Sequence, residues 1–160
     1  MLNYRKRIVG VALVLIFVLP TLAGAAKEKV IVQKMDSAEL KRMMQDPDNQ
    51  RMIVAMASWC GPCRKELPTL IKLFNKYQGK GLKLVGISLD ADGPEAMQRI
   101  IDKARVTFPV YWVGVDVAHE YGIYAIPMIF FIKKGEVVEK LPGQRSERFL
   151  EHKIIMLLKE

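Results

Sequence analysis

The chain is poor in the residues that staple small exported folds or hold metals. Its 160 residues include only two cysteines and two histidines. Two cysteines exclude a multi-disulfide scaffold. A closed structural zinc site wants four ligands. Here they could come only from Cys60, Cys63, His119 and His152, which lie in unrelated segments, so no metal site is expected. Acidic residues are outnumbered, with 17 Asp and Glu against 25 Lys and Arg. The surplus forms no long basic run and accompanies no nucleic-acid motif, so it reads as a solvated surface. No internal repeat and no low-complexity tract divides the chain.

Long apolar runs are also scarce, with one exception at the N-terminus. Arg5, Lys6 and Arg7 precede the apolar run Ile8 to Leu19, which Pro20 ends. Ala23-Gly24-Ala25-Ala26 then supplies small residues. This is a secretory signal layout. The other reading is a membrane anchor over residues 8–26, near the length that spans a bilayer. No cysteine sits near its end for lipid attachment. Both readings put residues 27–160, one domain, outside the cytoplasm, in a periplasmic or other extracytoplasmic space.

From there strand and helix patterns alternate. Short strands are predicted at Val30-Ile31-Val32 and Phe108 to Val113, and buried apolar strands at Met52 to Ala57 and Leu82 to Leu89. Helices are predicted at Ser37 to Met44, from Cys60 to about Tyr77 with a kink at Pro68, at Pro94 to Ala104, and from an Asp116 cap to Tyr121. A hairpin turning at Lys134-Gly135 and a Ser146-capped helix close the chain. Phe149, Leu150, Ile154, Leu157 and Leu158 form that helix's expected buried face. The pattern predicts an α/β fold, with a central mixed sheet and helices on both faces. Met43, Met44, Met52 and Met56 fall in apolar patterns and read as core. His119 and His152 read as solvated.

The chemistry concentrates at Trp59-Cys60-Gly61-Pro62-Cys63, which follows a buried strand and opens a helix. A helix N-terminus offers free N–H groups and the positive end of the dipole. A thiolate placed there is stabilised, and the thiolate is the attacking species in disulfide exchange. Cys60 is thus the expected nucleophile. Cys63, one turn on, shares its face and is placed to resolve a mixed disulfide. So short a loop gains little chain-entropy stabilisation, which argues against a purely structural disulfide. Covalent haem attachment needs His after the second cysteine, where Arg64 stands.

The motif, Pro68 five residues after Cys63, and Ile126-Pro127 at the head of a strand together resemble the thioredoxin family. The likeness runs from about Met52 to Lys159. It implies a three-layer thioredoxin-like fold and a cis Pro127 lying against the dithiol. It also implies an Ile126 backbone free to pair with a substrate strand. Trp59, Gly61, Pro62, Ile126, Pro127 and Gly143 then make up the substrate-binding set, with Gly143 letting substrate approach on the far side. Cytoplasmic members keep a buried Asp and a Lys on neighbouring strands, but Val54 and Gly86 stand at those positions. Cys60 to Pro68, read as Cys-x-x-Cys-Arg-x-Glu-x-Pro, resembles the extracytoplasmic TlpA-like and ResA-like branch. There the acid, here Glu66, is proposed to move protons for the dithiol. The catalytic set expected is Cys60, Cys63 and Glu66, with no cofactor beyond the Cys60–Cys63 disulfide.

The Gly-Pro pair between the cysteines resembles reducing members of the family. The resemblance therefore implies a protein-disulfide reductase acting on exported proteins. Its acceptor would be apocytochrome c or other thiol substrates, and its donor a membrane thiol carrier of the DsbD or CcdA kind. A dithiol oxidase or isomerase, and a non-catalytic thioredoxin-fold binding module, stay open as alternatives. A peroxidase is disfavoured by the partner cysteine three residues on.

Overall fold

The computed structural model describes residues 29–48 and 50–159. The expected signal or anchor over residues 1–26 lies outside them. Among the described residues no helix is long and apolar enough to cross a membrane.

Among the described residues six strands form one sheet: β1 (Gln33–Lys34), β2 (Arg51–Met56), β3 (Lys83–Ser88), β4 (Val110–Trp112), β5 (Met128–Lys133) and β6 (Glu136–Pro142). The order is β1-β4-β3-β2-β5-β6. The β1–β4, β4–β3 and β3–β2 pairs are parallel, while β2–β5 and β5–β6 are antiparallel. Five α-helices among the described residues flank the sheet: α1 (Ser37–Met44), α2 (Gly61–Tyr77), α3 (Pro94–Ala104), α4 (Val117–Glu120) and α5 (Glu147–Leu158).

The period-two alternation of strands divides the core. Met52, Val54 and Met56 of β2 face one way and pack with Leu67, Leu70 and Leu73 of α2, Met97 of α3 and Leu150 of α5. Ile53 and Ala55 face the other way and pack with Leu40 of α1 and Val117 of α4. Helices therefore cover both faces of a mixed sheet, as expected. In β2 only Arg51 is not fully buried, because helices cover the strand from both sides.

Local signals account for most of the boundaries. Asp36 caps α1 in a reciprocal box with Glu39. Ser146 Oγ accepts from Phe149 N at the start of α5. Lys134 and Gly135 both have positive φ, at 53° and 77°, as a two-residue type I′ hairpin requires. A Cβ on Gly135 would also meet the Gln45 carbonyl oxygen at 2.6 Å. Pro68 lies inside α2, which continues through it to Tyr77.

Three expectations need correction. Val30-Ile31-Val32 is not a strand. The Gln98 side chain takes up its backbone instead, accepting from Val32 N at 2.7 Å and donating to Val30 O at 3.0 Å. Pairing with β4 begins only at Gln33. Asp116 precedes α4 with helical φ and ψ and makes no side-chain cap bond, because a capping side chain needs extended backbone at that position. Phe149 is 39% exposed. The buried face of α5 is Leu150, Ile154 and Leu157, and Phe149 instead lies beneath the cations of Arg145 and Lys153.

Candidate active site

The central strand β2 ends at Met56, and the chain turns through Ala57, Ser58 and Trp59 before α2 begins. Cys60 N donates to Ala57 O at 3.1 Å, and Arg64 N donates to Cys60 O at 3.1 Å. Cys60 occupies the N-cap position in extended backbone, and its Sγ accepts from Cys63 N at 3.1 Å. The sulfur thus fills the place that a Ser or Asp oxygen takes at other helix starts. Pro62 sits in the first turn, where no intrahelical N–H bond is lost.

Cys60 and Cys63 form a disulfide, with Sγ atoms 2.06 Å and Cα atoms 5.3 Å apart. Both are buried, with Cys60 4% exposed. The Ile126–Pro127 bond is cis. The Ile126 carbonyl oxygen lies 3.7 Å from Cys60 Sγ, and among the described residues no backbone N–H outside the regular elements donates to it. Gly143 has φ of 79° and donates from N to Pro127 O at 2.7 Å. A Cβ at Gly61 or Gly143 would meet nothing within 4 Å. At Gly143 the positive φ, not crowding, is what favours glycine.

Beside the dithiol runs an apolar groove of about 390 Å³ lined by Trp59, Val115, Ala118, Ile123, Tyr124 and Ile126, among others. Trp59 and Tyr124 are 69% and 78% exposed. These two large aromatics stand exposed in the lining of the groove. The sequence had singled out Trp59 and Ile126 but not Val115 or Tyr124. Tyr124 had only its nearness to Pro127 as a signal, and Val115 had none.

Glu66 is 1% exposed. It lies one turn beyond Cys63 on the same face of α2. Its Oε1 accepts from Arg145 N at 2.8 Å, while Oε2 is buried with no partner among the described residues. Burial pushes its pKa up, and the Arg145 amide and charge oppose that only in part. The carboxyl therefore holds its proton more readily than a solvated one. Val54 and Gly86 are register partners on β2 and β3, so the sheet beneath the cysteines carries no Asp–Lys pair.

Asp90, just beyond β3, was not singled out from the sequence, yet it bonds the turn that leads into the motif. It is 2% exposed. Its carboxylate accepts from Ser58 N at 3.0 and 3.1 Å, from Ser58 Oγ at 2.6 Å and from Ser88 Oγ at 2.7 Å. The available signal was an acid directly after a buried apolar strand. His119 and His152 are exposed, as expected, and no metal-holding cluster occurs among the described residues.

Among known proteins, the chain is 37% identical over 97 residues to the thiol-disulfide oxidoreductase ResA of Bacillus cereus, covering 59% of this chain and 55% of that protein. The chain thus spans about half the length of the curated relatives it matches. A Chlorobium tepidum structure assigned as a thiol:disulfide interchange protein DsbE is 29% identical, with a TM-score of 0.64 over 71% of this chain and 82% of that one. The thioredoxin domain of a Bacteroides vulgatus thiol-disulfide oxidoreductase superposes with a TM-score of 0.63 at 22% identity, covering 74% and 84%. The fold is therefore thioredoxin-like. Residues 28–141 match the AhpC/TSA family, and the chain belongs to that family.

Proposed function

We propose that this protein is an exported thiol–disulfide oxidoreductase working in the reducing direction. The observation that carries the reading is the Cys60–Cys63 disulfide at the mouth of α2, with the Ile126 carbonyl 3.7 Å from Cys60 Sγ. The likeness to ResA over the motif-bearing segment supports it.

In the reduced protein the Cys60 thiolate attacks one sulfur of a substrate disulfide. A Cys60–substrate bond forms, and the other substrate sulfur leaves as a thiolate. Cys63 loses its proton and attacks Cys60 Sγ. The Cys60–Cys63 bond closes and the second substrate sulfur departs. The substrate gains two electrons and the dithiol loses two. In this scheme the ionised Glu66 carboxylate takes the Cys63 proton, a role supported by its burial and raised pKa, which suit general acid–base work. No further cofactor is needed. Trp59, Gly61, Pro62, Ile126, Pro127 and Gly143 form the substrate groove.

The reading extends to a domain of residues 27–160 behind a signal or anchor in residues 1–26, and to a periplasmic or extracytoplasmic location. An oxidising compartment regenerates no dithiol, so a membrane carrier of the DsbD or CcdA kind supplies electrons. Substrates are exported protein disulfides, with apocytochrome c the expected example in cytochrome c maturation.

Equilibration with glutathione or dithiothreitol buffers tests the direction. A potential well below about −200 mV supports a reductant, and one near about −120 mV makes it an oxidase. Turnover of peroxide with no protein disulfide reduced would overturn both in favour of a peroxidase.

A further inference from the structure

We infer that Asp90 is a positioning residue for the dithiol, acting through Ser58. The inference rests on the oxidoreductase reading of Cys60 and Cys63.

Asp90 makes more hydrogen bonds than its place at a strand end demands. A buried carboxylate must be well paired to be tolerated, and this one is paired at both oxygens. Ser88 Oγ donates to Oδ2 at 2.7 Å and anchors the carboxylate to β3. The remaining bonds all come from Ser58, whose amide lies within 3.1 Å of both oxygens and whose hydroxyl lies 2.6 Å from Oδ1. The backbone of Asp90 is fixed in turn, since Trp112 Nε1 donates to its carbonyl at 2.6 Å. Asp90 is thus tied to β3 and β4, and through it Ser58 is tied to both strands.

Ser58 is the critical place to hold. It lies in the turn between the rigid strand β2 and the helix cap, two residues before Cys60. The dithiol reacts through a sulfur whose stabilisation depends on its exact seat among the first N–H groups of α2. Cys63 N, at 3.1 Å, already points at that sulfur. A turn free to shift would carry Cys60 off that seat and move Trp59, the exposed wall of the groove, along with it. The Asp90–Ser58 clamp prevents this by fixing the turn from the neighbouring strand. Charge-assisted hydrogen bonds of this kind give geometry as well as energy.

The test compares Asp90→Ala, Asp90→Asn and Ser58→Ala with the unaltered protein. The readouts are the dithiol–glutathione equilibrium constant, the pH midpoint of Cys60 alkylation and the thermal midpoint. Ile154→Val, in the buried face of α5, serves as the stability control. The expected result for Ser58→Ala is a raised alkylation midpoint. For Asp90→Ala we expect an equilibrium constant changed about tenfold, or about 30 mV. Asn at position 90 still offers an oxygen to the Ser58 donors, so Asp90→Asn recovers most of the change. If Asp90→Ala does not fold, the Ser58→Ala midpoint carries the test alone. Values matching the unaltered protein, or shifts that Ile154→Val reproduces, overturn the positioning role. So does an Asp90→Asn variant as altered as Asp90→Ala, since charge alone would then be at work. If the unaltered dithiol fails to exchange with glutathione at all, the oxidoreductase reading falls instead.

Discussion

Val54 of β2 and Gly86 of β3 lie opposite each other in the parallel ladder, and neither carries an ionisable group. The end of the Met56 side chain occupies the space beside Gly86, only 2.7 Å from where a Cβ would lie. An apolar layer therefore backs the two cysteines. Glu66, buried on α2 one turn beyond Cys63, is the acid to which the proposed mechanism assigns proton exchange.

That placement has a cost that depends on pH. Burial raises the Glu66 pKa above its unfolded value, so across the interval between the two the native state binds more protons than the unfolded state. Stability then falls as pH rises through that interval. Glu66→Gln should raise the thermal midpoint at neutral pH, and the gain should vanish below the ordinary carboxylate range. A gain that persists unchanged in acid would mean that packing, not ionisation, is responsible. The same variant should slow disulfide exchange and alter its pH profile.

The proposed mechanism gives the two sulfurs unequal tasks, and substitution should separate them. Cys60→Ser should abolish disulfide reduction. Cys63→Ser should trap substrates as mixed disulfides on Cys60. Non-reducing gels read the second outcome directly, and full multiple turnover by Cys63→Ser would refute its resolving role.

Trp59 should matter for substrates far more than for folding. It is mostly exposed, and surface changes usually stay within about 0.5 kcal/mol. Trp59→Ala should leave the urea midpoint nearly unchanged while raising KM severalfold for disulfides flanked by apolar residues. An unchanged KM would detach the groove from substrate binding.

Gly135 should be intolerant for two reasons at once. Its φ is 77°, and a Cβ would run into the Gln45 carbonyl at 2.6 Å. Gly135→Ala should cost upwards of about 1 kcal/mol in equilibrium unfolding, since neither the backbone nor the neighbour can yield cheaply. A stability loss of a few tenths would show that the hairpin and the loop after α1 move apart freely.

The architecture was legible where burial writes a strong period. Met52 to Ala57 read as a strand within a residue at each end, and α3 was placed at its observed bounds, with Pro94 in its first turn. The dithiol was legible because the motif sits where a strand gives way to a helix. What escaped were choices made by distant partners. Gln98 claims the backbone of Val30 and Val32, and that competition is invisible in a β-branched triplet. The Asp90–Ser58 pair, 32 residues apart, joins positions with no shared periodicity. The amide that bonds Glu66 comes from Arg145, 79 residues away, so only the face of the acid, not its partner, followed from the helix.

The sheet order leaves two unequal borders. β1 offers two residues and β6 seven. A domain proposed to take extended chains at Ile126 risks taking them at β6 as well, including strands from its own copies. Glu136, Glu139 and Lys140 along that strand, with Pro142 at its end, make β6 a poor template for such pairing. For the proposed activity, selectivity therefore depends partly on the strand next to β5, where charge keeps the wrong edge unsociable.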